Sequence, residues 1–200
     1  KFKGADEQIG SSMKSVGEVM GIGRTFEEAY QKAIRMLDLG FEGATSQEML
    51  KNGKTVKQLL AAPTPKRMFA LAQALKQNLP IKTIYRLTGI DPWFLFRIKN
   101  IVEKEEGIPK TIKKITYSQL LTLKQLGFSD KRIGDIYQTT GLAIRTLRKK
   151  LGIIPSVFQI DTLSGEFPAK TNYLYLTYNG NHNDVKSSGK KTVIVLGSGP

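Results

Sequence analysis

Two hundred residues, 40% of them apolar, suffice for one or two packed domains. The lack of cysteine excludes disulfides and thiolate zinc sites, and no apolar run is long enough to span a membrane as a helix. A net charge of +14 admits nucleic acid, an anionic surface or an acidic partner. Between Thr64 and Ile154, 18 Lys and Arg stand against 6 Asp and Glu, so +12 of that charge lies there. A solvated face is the plainest account of such a run. The first residues, 1–4, lack Met and an apolar signal core, and the last run, 193–200, stops inside a motif. Both ends are therefore expected to be cuts within a longer protein.

Residues 13–24 place Gly17, Gly21 and Gly23 around Val19, Met20 and Ile22, a density that predicts a turn, a bulge or close backbone packing. Thr25 followed by Glu28 is a capping-box arrangement. Phe26, Ala29, Tyr30, Ala33, Ile34 and Leu37 then predict an amphipathic helix stopped by Gly40. Residues 41–63 read as a linker, with a short helix over 56–61. Thr64 is expected to cap a helix with Pro65 at its first position, and Asn78 and Pro80 to end it.

From Ile81 the chain repeats itself. Residues 81–90 match residues 133–142 at five of ten positions: Ile81/Ile133, Ile84/Ile136, Tyr85/Tyr137, Thr88/Thr140 and Gly89/Gly141. Each copy reads as a short helix, a Thr-Gly stop and a second helix, preceded by a helix over 66–77 or 117–126. Two packed three-helix units are expected. Trp93, Phe94 and Phe96 are expected in the core, with an oligomer interface as the other reading. After Pro155 the pattern changes. Residues 171–178 alternate and predict a strand, 179–181 a turn, and 192–196 a strand buried on both faces, running into Gly197-Ser198-Gly199.

Composition alone favours nucleic-acid binding. The second copy has helix-turn-helix lengths, and Arg145, Arg148, Lys149 and Lys150 lie on or near its second helix. That geometry is also a general packing solution. His182, the single histidine, sits in an Asn/Asp-rich turn without triad or zinc partners nearby and is expected at the surface.

Several stretches resemble carbamoyl-phosphate synthases, in that family's order. Residues 13–29 look like the end of its first ATP-grasp unit. Ile90-Asp91-Pro92-Trp93-Phe94-Leu95 and Leu126-Gly127-Phe128-Ser129-Asp130-Lys131 resemble signatures of its oligomerisation domain. Residues 160–162 and 171–178 resemble the connector into the second half, and Leu196-Gly197-Ser198-Gly199 its opening loop. Tyr173-Leu174-Tyr175-Leu176-Thr177-Tyr178-Asn179-Gly180 is similar to eukaryotic multifunctional pyrimidine versions.

The resemblance implies a mainly α fold: a helical oligomerisation domain of two helix-turn-helix-like units, flanked by α/β ends of ATP-grasp halves. The implied division is 1–40, tail of the first unit; 41–63, linker; 64–155, helical domain; 156–190, connector; and 191–200, first strand of the second half. It implies a parent that joins glutamine-derived ammonia to bicarbonate with two ATP and Mg, giving carbamoyl phosphate in the cytoplasm. One half makes carboxyphosphate and carbamate; the other phosphorylates carbamate, which reaches it through an internal tunnel. The implied partners are the remaining ATP-grasp halves, the glutaminase part and further copies of the chain. Neither nucleic acid nor membrane is expected, nor a cofactor on this segment alone. The resemblance gives Glu18 a place lining the carbamate passage. A structural ion pair with Lys14 or Arg24 is the plainer account. Gly197 and Gly199 would begin a phosphate loop, or merely a tight turn.

Overall fold

A computed structural model describes residues 6–14, 18–46, 53–168, 173–185, 189, 191 and 193. Among these the chain forms eight α-helices, one 3₁₀ turn and a two-stranded sheet, so the fold is mainly α.

Helix α1, Phe26–Met36, starts where Thr25 Oγ1 accepts the Glu28 N–H. The return arm of the expected capping box is displaced by one residue. Glu28 takes the N–H of Arg24 at 3.0 Å instead of that of Thr25. Helix α2, Val56–Ala61, has a complete capping box between Thr55 and Gln58 and packs Leu59 and Leu60 inward. Helix α3 is Arg67–Lys76, starting two residues later than expected and without a side-chain cap. The reason is local. The Thr64 carbonyl accepts the Arg67 N–H at 3.0 Å, so Pro65 sits in a turn that precedes the helix. Asn78, at φ +56°, and Pro80 end α3 as anticipated.

Helix α4, Ile81–Thr88, stops at Gly89 with φ +70°. Asp91 then caps α5, Pro92–Glu106, through the Trp93 N–H. A 3₁₀ turn, Ile112–Lys114, leads to α6, Tyr117–Gln125, opened by a Thr116–Gln119 capping box. Ser129 caps α7, Asp130–Ile136, and Thr140 caps α8, Gly141–Lys150.

The repeat is therefore not a structural superposition. Thr88-Gly89 closes a helix, whereas Thr140-Gly141 opens one. Helix α7 has already ended at Ile136, with Gln138 at φ +53°. The buried residue shifts accordingly, from Ile84 in the first copy to Ile133 in the second. Gly141 is needed for closeness rather than for φ: a Cβ there would lie 3.0 Å from Lys131 Cα. Gly134 likewise leaves room for the Thr139 carbonyl.

Three apolar clusters result. Helices α2 to α5 enclose Leu60, Leu71, Leu75, Ile84, Leu95 and Ile98. Helices α6 to α8 enclose Leu120, Leu123, Ile133 and Ile144, with Phe128, Ile153 and Ile101 of α5. Ile34, Ala44 and Phe69 form the third. Helix α5 is the shared wall, since Leu95, Ile98 and Val102 face one cluster and Ile101 the other. Tyr30 of α1 packs against all three. Residues 41–63, read from sequence as a linker, thus contribute Ala44 and α2 to these cores.

Strand β1, Ser156–Gln159, pairs antiparallel with β2, Leu174–Thr177, in the register Ser156 to Thr177 and Gln159 to Leu174. Residues 171 and 172 lie outside the described residues. So do 192 and 194–200, with Gly197 and Gly199; of the second expected strand only Val193 is described, and it is exposed and in no strand.

Candidate functional site

Helix α1 buries polar groups on the side that its amphipathic pattern assigned to solvent: Glu27, Glu28 and Gln31 are all inaccessible. Glu28 is the centre of a junction. Its Oε2 accepts from Arg24 N at 3.0 Å, Thr177 Oγ1 at 2.9 Å and Asn179 Nδ2 at 2.9 Å. Its Oε1 pairs with Lys32 Nζ at 2.8 Å. Lys32 also donates to the carbonyls of Ile22 at 2.8 Å and Leu176 at 2.6 Å. Burial pushes the Glu28 carboxyl up. The Lys32 ammonium, the Arg24 N–H, Asn179 and Thr177 outweigh burial and hold it below its ordinary 4.5.

The same helix reaches into the second helical unit. Gln31 Nε2 donates to the Leu126 carbonyl at 3.0 Å and Arg35 Nη1 to that of Gly127 at 2.7 Å. Asn179 Nδ2 also donates to the Gln125 carbonyl. Gly21 and Gly23, before α1, pack closely, as the glycine density predicted. A Cβ on Gly23 would meet Ala29 N at 2.9 Å, and one on Gly21 would overlap the Ala29 carbonyl.

A second junction centres on buried Glu105. It accepts from Lys76 at 2.8 Å, from both Arg132 Nε and Nη2, and from Thr45 Oγ1 at 2.5 Å. A third joins Asp130 to Lys124 at 2.7 Å and to Arg148 at 2.8 Å, both beneath the Tyr178 ring. Burial drives the Lys124 ammonium down from 10.5 to about 8, against the pull of Asp130.

The predicted residues distribute unevenly. Glu18 is exposed, and its candidate partners are engaged elsewhere: Lys14 with Asp6 at 2.6 Å, Arg24 over the Phe158 ring at 4.6 Å. Trp93, Phe94 and Phe96 are 49%, 42% and 56% exposed, which overturns the expectation that they lie in the core. Trp93 and Phe94 pack on Phe26 at ring distances of 5.6 and 5.4 Å, and together they present an aromatic surface. His182 lies exposed in its turn beside Asp184, as expected. Of the cations proposed for a recognition helix, Arg148 is buried and paired with Asp130, while Arg145, Lys149 and Lys150 are exposed. Among the described residues no group of three His, Cys, Asp or Glu is placed to hold a metal, and no helix is long and apolar enough to cross a membrane.

Sequence reasoning missed the three junctions. The Thr25–Glu28 spacing signalled the cap of α1, but no local pattern pointed Glu28 at residues 177 and 179.

These elements define the class: a mainly helical domain whose parts are joined by partly and fully buried ion pairs. The chain belongs to the family of the carbamoyl-phosphate synthetase large chain, oligomerisation domain, whose model matches residues 18–152. The whole chain is similar to Multifunctional protein CAD of Squalus acanthias, at 49% identity, covering 9% of that protein. It is 46% identical to Multifunctional protein pyrABCN of Emericella nidulans, again over 9% of the relative. It is 43% identical to the mitochondrial Carbamoyl-phosphate synthase [ammonia] of Mus musculus, over 14%. The chain thus spans about a tenth of the length of these relatives. None of this supports the nucleic-acid reading.

Proposed function

We propose that this chain is the joint between the two ATP-grasp halves of a glutamine-dependent carbamoyl-phosphate synthase. The parent makes carbamoyl phosphate from bicarbonate, ammonia and two ATP, as the first step of cytoplasmic pyrimidine biosynthesis. The observation that carries this reading is the end-to-end match to multifunctional relatives, 100% of this chain at 49% and 46% identity. The Glu28 junction supports it physically, because the segment before α1 and the strand after the helices converge on one carboxylate.

In this reading residues 1–40 end the first half, 64–155 form the helical domain, 156–190 connect, and 191–200 enter the second half. Glu18, exposed beside closely packed glycines, faces the carbamate passage. Gly197 and Gly199 open a phosphate loop completed by later residues. In the same reading ATP and Mg act in the flanking halves, and glutamine chemistry in a separate glutaminase part. The exposed aromatics Trp93, Phe94 and Phe96 of α5 support self-association, since aromatic residues are enriched at interface cores. Expression of the parent with an assay for carbamoyl phosphate from bicarbonate, glutamine and ATP tests the reading. Product formation is expected, and a parent with no such activity overturns it.

A further inference from the structure

We infer that Glu28, Lys32, Thr177 and Asn179 form a positioning clamp that keeps transfer between the two halves of the parent tight. The inference rests on the proposed function and deepens it.

Three segments meet at one ion pair whose carboxylate is buried. Residues 22–24 contribute the Ile22 carbonyl and the Arg24 N–H. Helix α1 contributes both charges. Residues 176–179 contribute the Leu176 carbonyl, the Thr177 hydroxyl and the Asn179 amide. Thr177 lies 149 residues from Glu28 and is fully buried. The Glu28 side chain is 1% exposed. A buried carboxylate with this many donors holds each of them to a narrow geometry, because losing one leaves charge incompletely solvated.

The clamp is directional. It is needed less for closing a core than for fixing where residues 18–24 stand relative to the hairpin β1–β2. The buried members of the two larger clusters come from α2 to α8, the segments between them and Ile153, with α1 adding only partly buried Phe26 and Tyr30. Phe158 of β1 adds a second contact of the same kind, since Arg24 stacks on its ring. In the parent, the segment before α1 comes from one half and the strand after the hairpin enters the other. Carbamate carried between them is lost to water if the two ends shift. These four side chains touch no substrate, so they are positioning residues.

The test uses the full-length parent. Thr177→Val and Asn179→Ala each remove one arm and leave the Glu28–Lys32 pair in place. Glu28→Gln weakens the pair itself. Glu105→Gln serves as a control that loosens the helical domain at a different junction. The readout is ATP hydrolysed per carbamoyl phosphate formed, with bicarbonate-dependent ATP hydrolysis measured alongside. Each clamp variant is expected to raise that ratio at least twofold over the wild-type parent while bicarbonate-dependent hydrolysis stays within twofold. Glu105→Gln is expected to leave the ratio unchanged. An unchanged ratio in the clamp variants, or an equal rise in Glu105→Gln, overturns the assignment. A wild-type parent that makes no carbamoyl phosphate refutes the proposed function instead.

Discussion

Glu28 and Thr177, 149 residues apart in sequence, share a 2.9 Å hydrogen bond in the interior. It ties the cap of the first helix to the last described strand. It is one of the contacts through which segments that read as successive in sequence come together.

That bond depends on the Glu28 charge. The folded carboxyl titrates below its ordinary 4.5, because Lys32 and three neutral donors offset burial. A depressed carboxyl contributes stability that is present above pH 4.5 and is lost as the pH falls through its lower folded value. Glu28→Gln is therefore expected to be less stable than wild type at pH 7, by roughly 1–3 kcal/mol. The difference should shrink progressively below pH 4.5. Urea unfolding at pH 7, 4 and 3 measures it, and a difference independent of pH contradicts it.

Lys124 gives the opposite end of the scale. Its folded value, about 8, lies below its ordinary 10.5, so its charged form is disfavoured by folding. Below about pH 8 that cost is fully felt, and it fades as the pH rises toward 10.5. Relative to Lys124→Met, wild type should gain on the order of 3 kcal/mol between pH 8 and 10.5. Chemical denaturation across that range is the check; a flat comparison places the ammonium in contact with water.

Gly134 sits where α7 meets the turn into α8. A Cβ would come within 2.7 Å of the Thr139 carbonyl and 3.0 Å of Gly141 N, both backbone atoms that cannot swing aside. Gly134→Ala should cost about 1–3 kcal/mol despite its better helix propensity. Thermal unfolding showing a rise in Tm contradicts the packing described.

Helix α5 can be tested by substitution on its buried and exposed sides. Leu95 is fully buried, and Leu95→Ala should cost roughly 2–5 kcal/mol. Phe96 is 56% exposed, so Phe96→Ser should change monomer stability by less than about 1 kcal/mol. If the aromatic surface associates, the same Phe96 change, combined with Trp93→Ser, should lower the sedimentation coefficient. Unchanged sedimentation removes that surface from the assembly.

What the sequence disclosed was local. The cap at Thr25, the span of α2 and the stops at Asn78 and Gly89 follow from short-range backbone chemistry, and the structure has them. The start of α3 was misplaced because Thr64-Pro65 suits a turn as well as a cap. Trp93, Phe94 and Phe96 were assigned inward because aromatic spacing does not say which side of α5 faces a neighbour; Leu95, Ile98 and Val102 take that side. The repeat hid a shift because Gly89 stops a helix while Gly141 lets another approach Lys131. The junctions at Glu28, Glu105 and Asp130 were illegible for a deeper reason. Glu28 meets Thr177 and Glu105 meets Thr45 across long stretches of chain, Asp130 meets Arg148 of the next helix, and a buried carboxylate has the same local pattern as a solvated one.

The central claim is that α1 holds residues 18–24 and the β1–β2 hairpin in one fixed arrangement. The chain contains no cysteine, so a pair introduced at exposed Met20 and Leu174 can be spin-labelled cleanly. Pulsed dipolar spectroscopy between the two labels is the most direct measurement. One narrow distance distribution, broadened by Glu28→Gln, is the predicted result. A broad distribution in the wild-type background, or one that Glu28→Gln leaves untouched, contradicts the account.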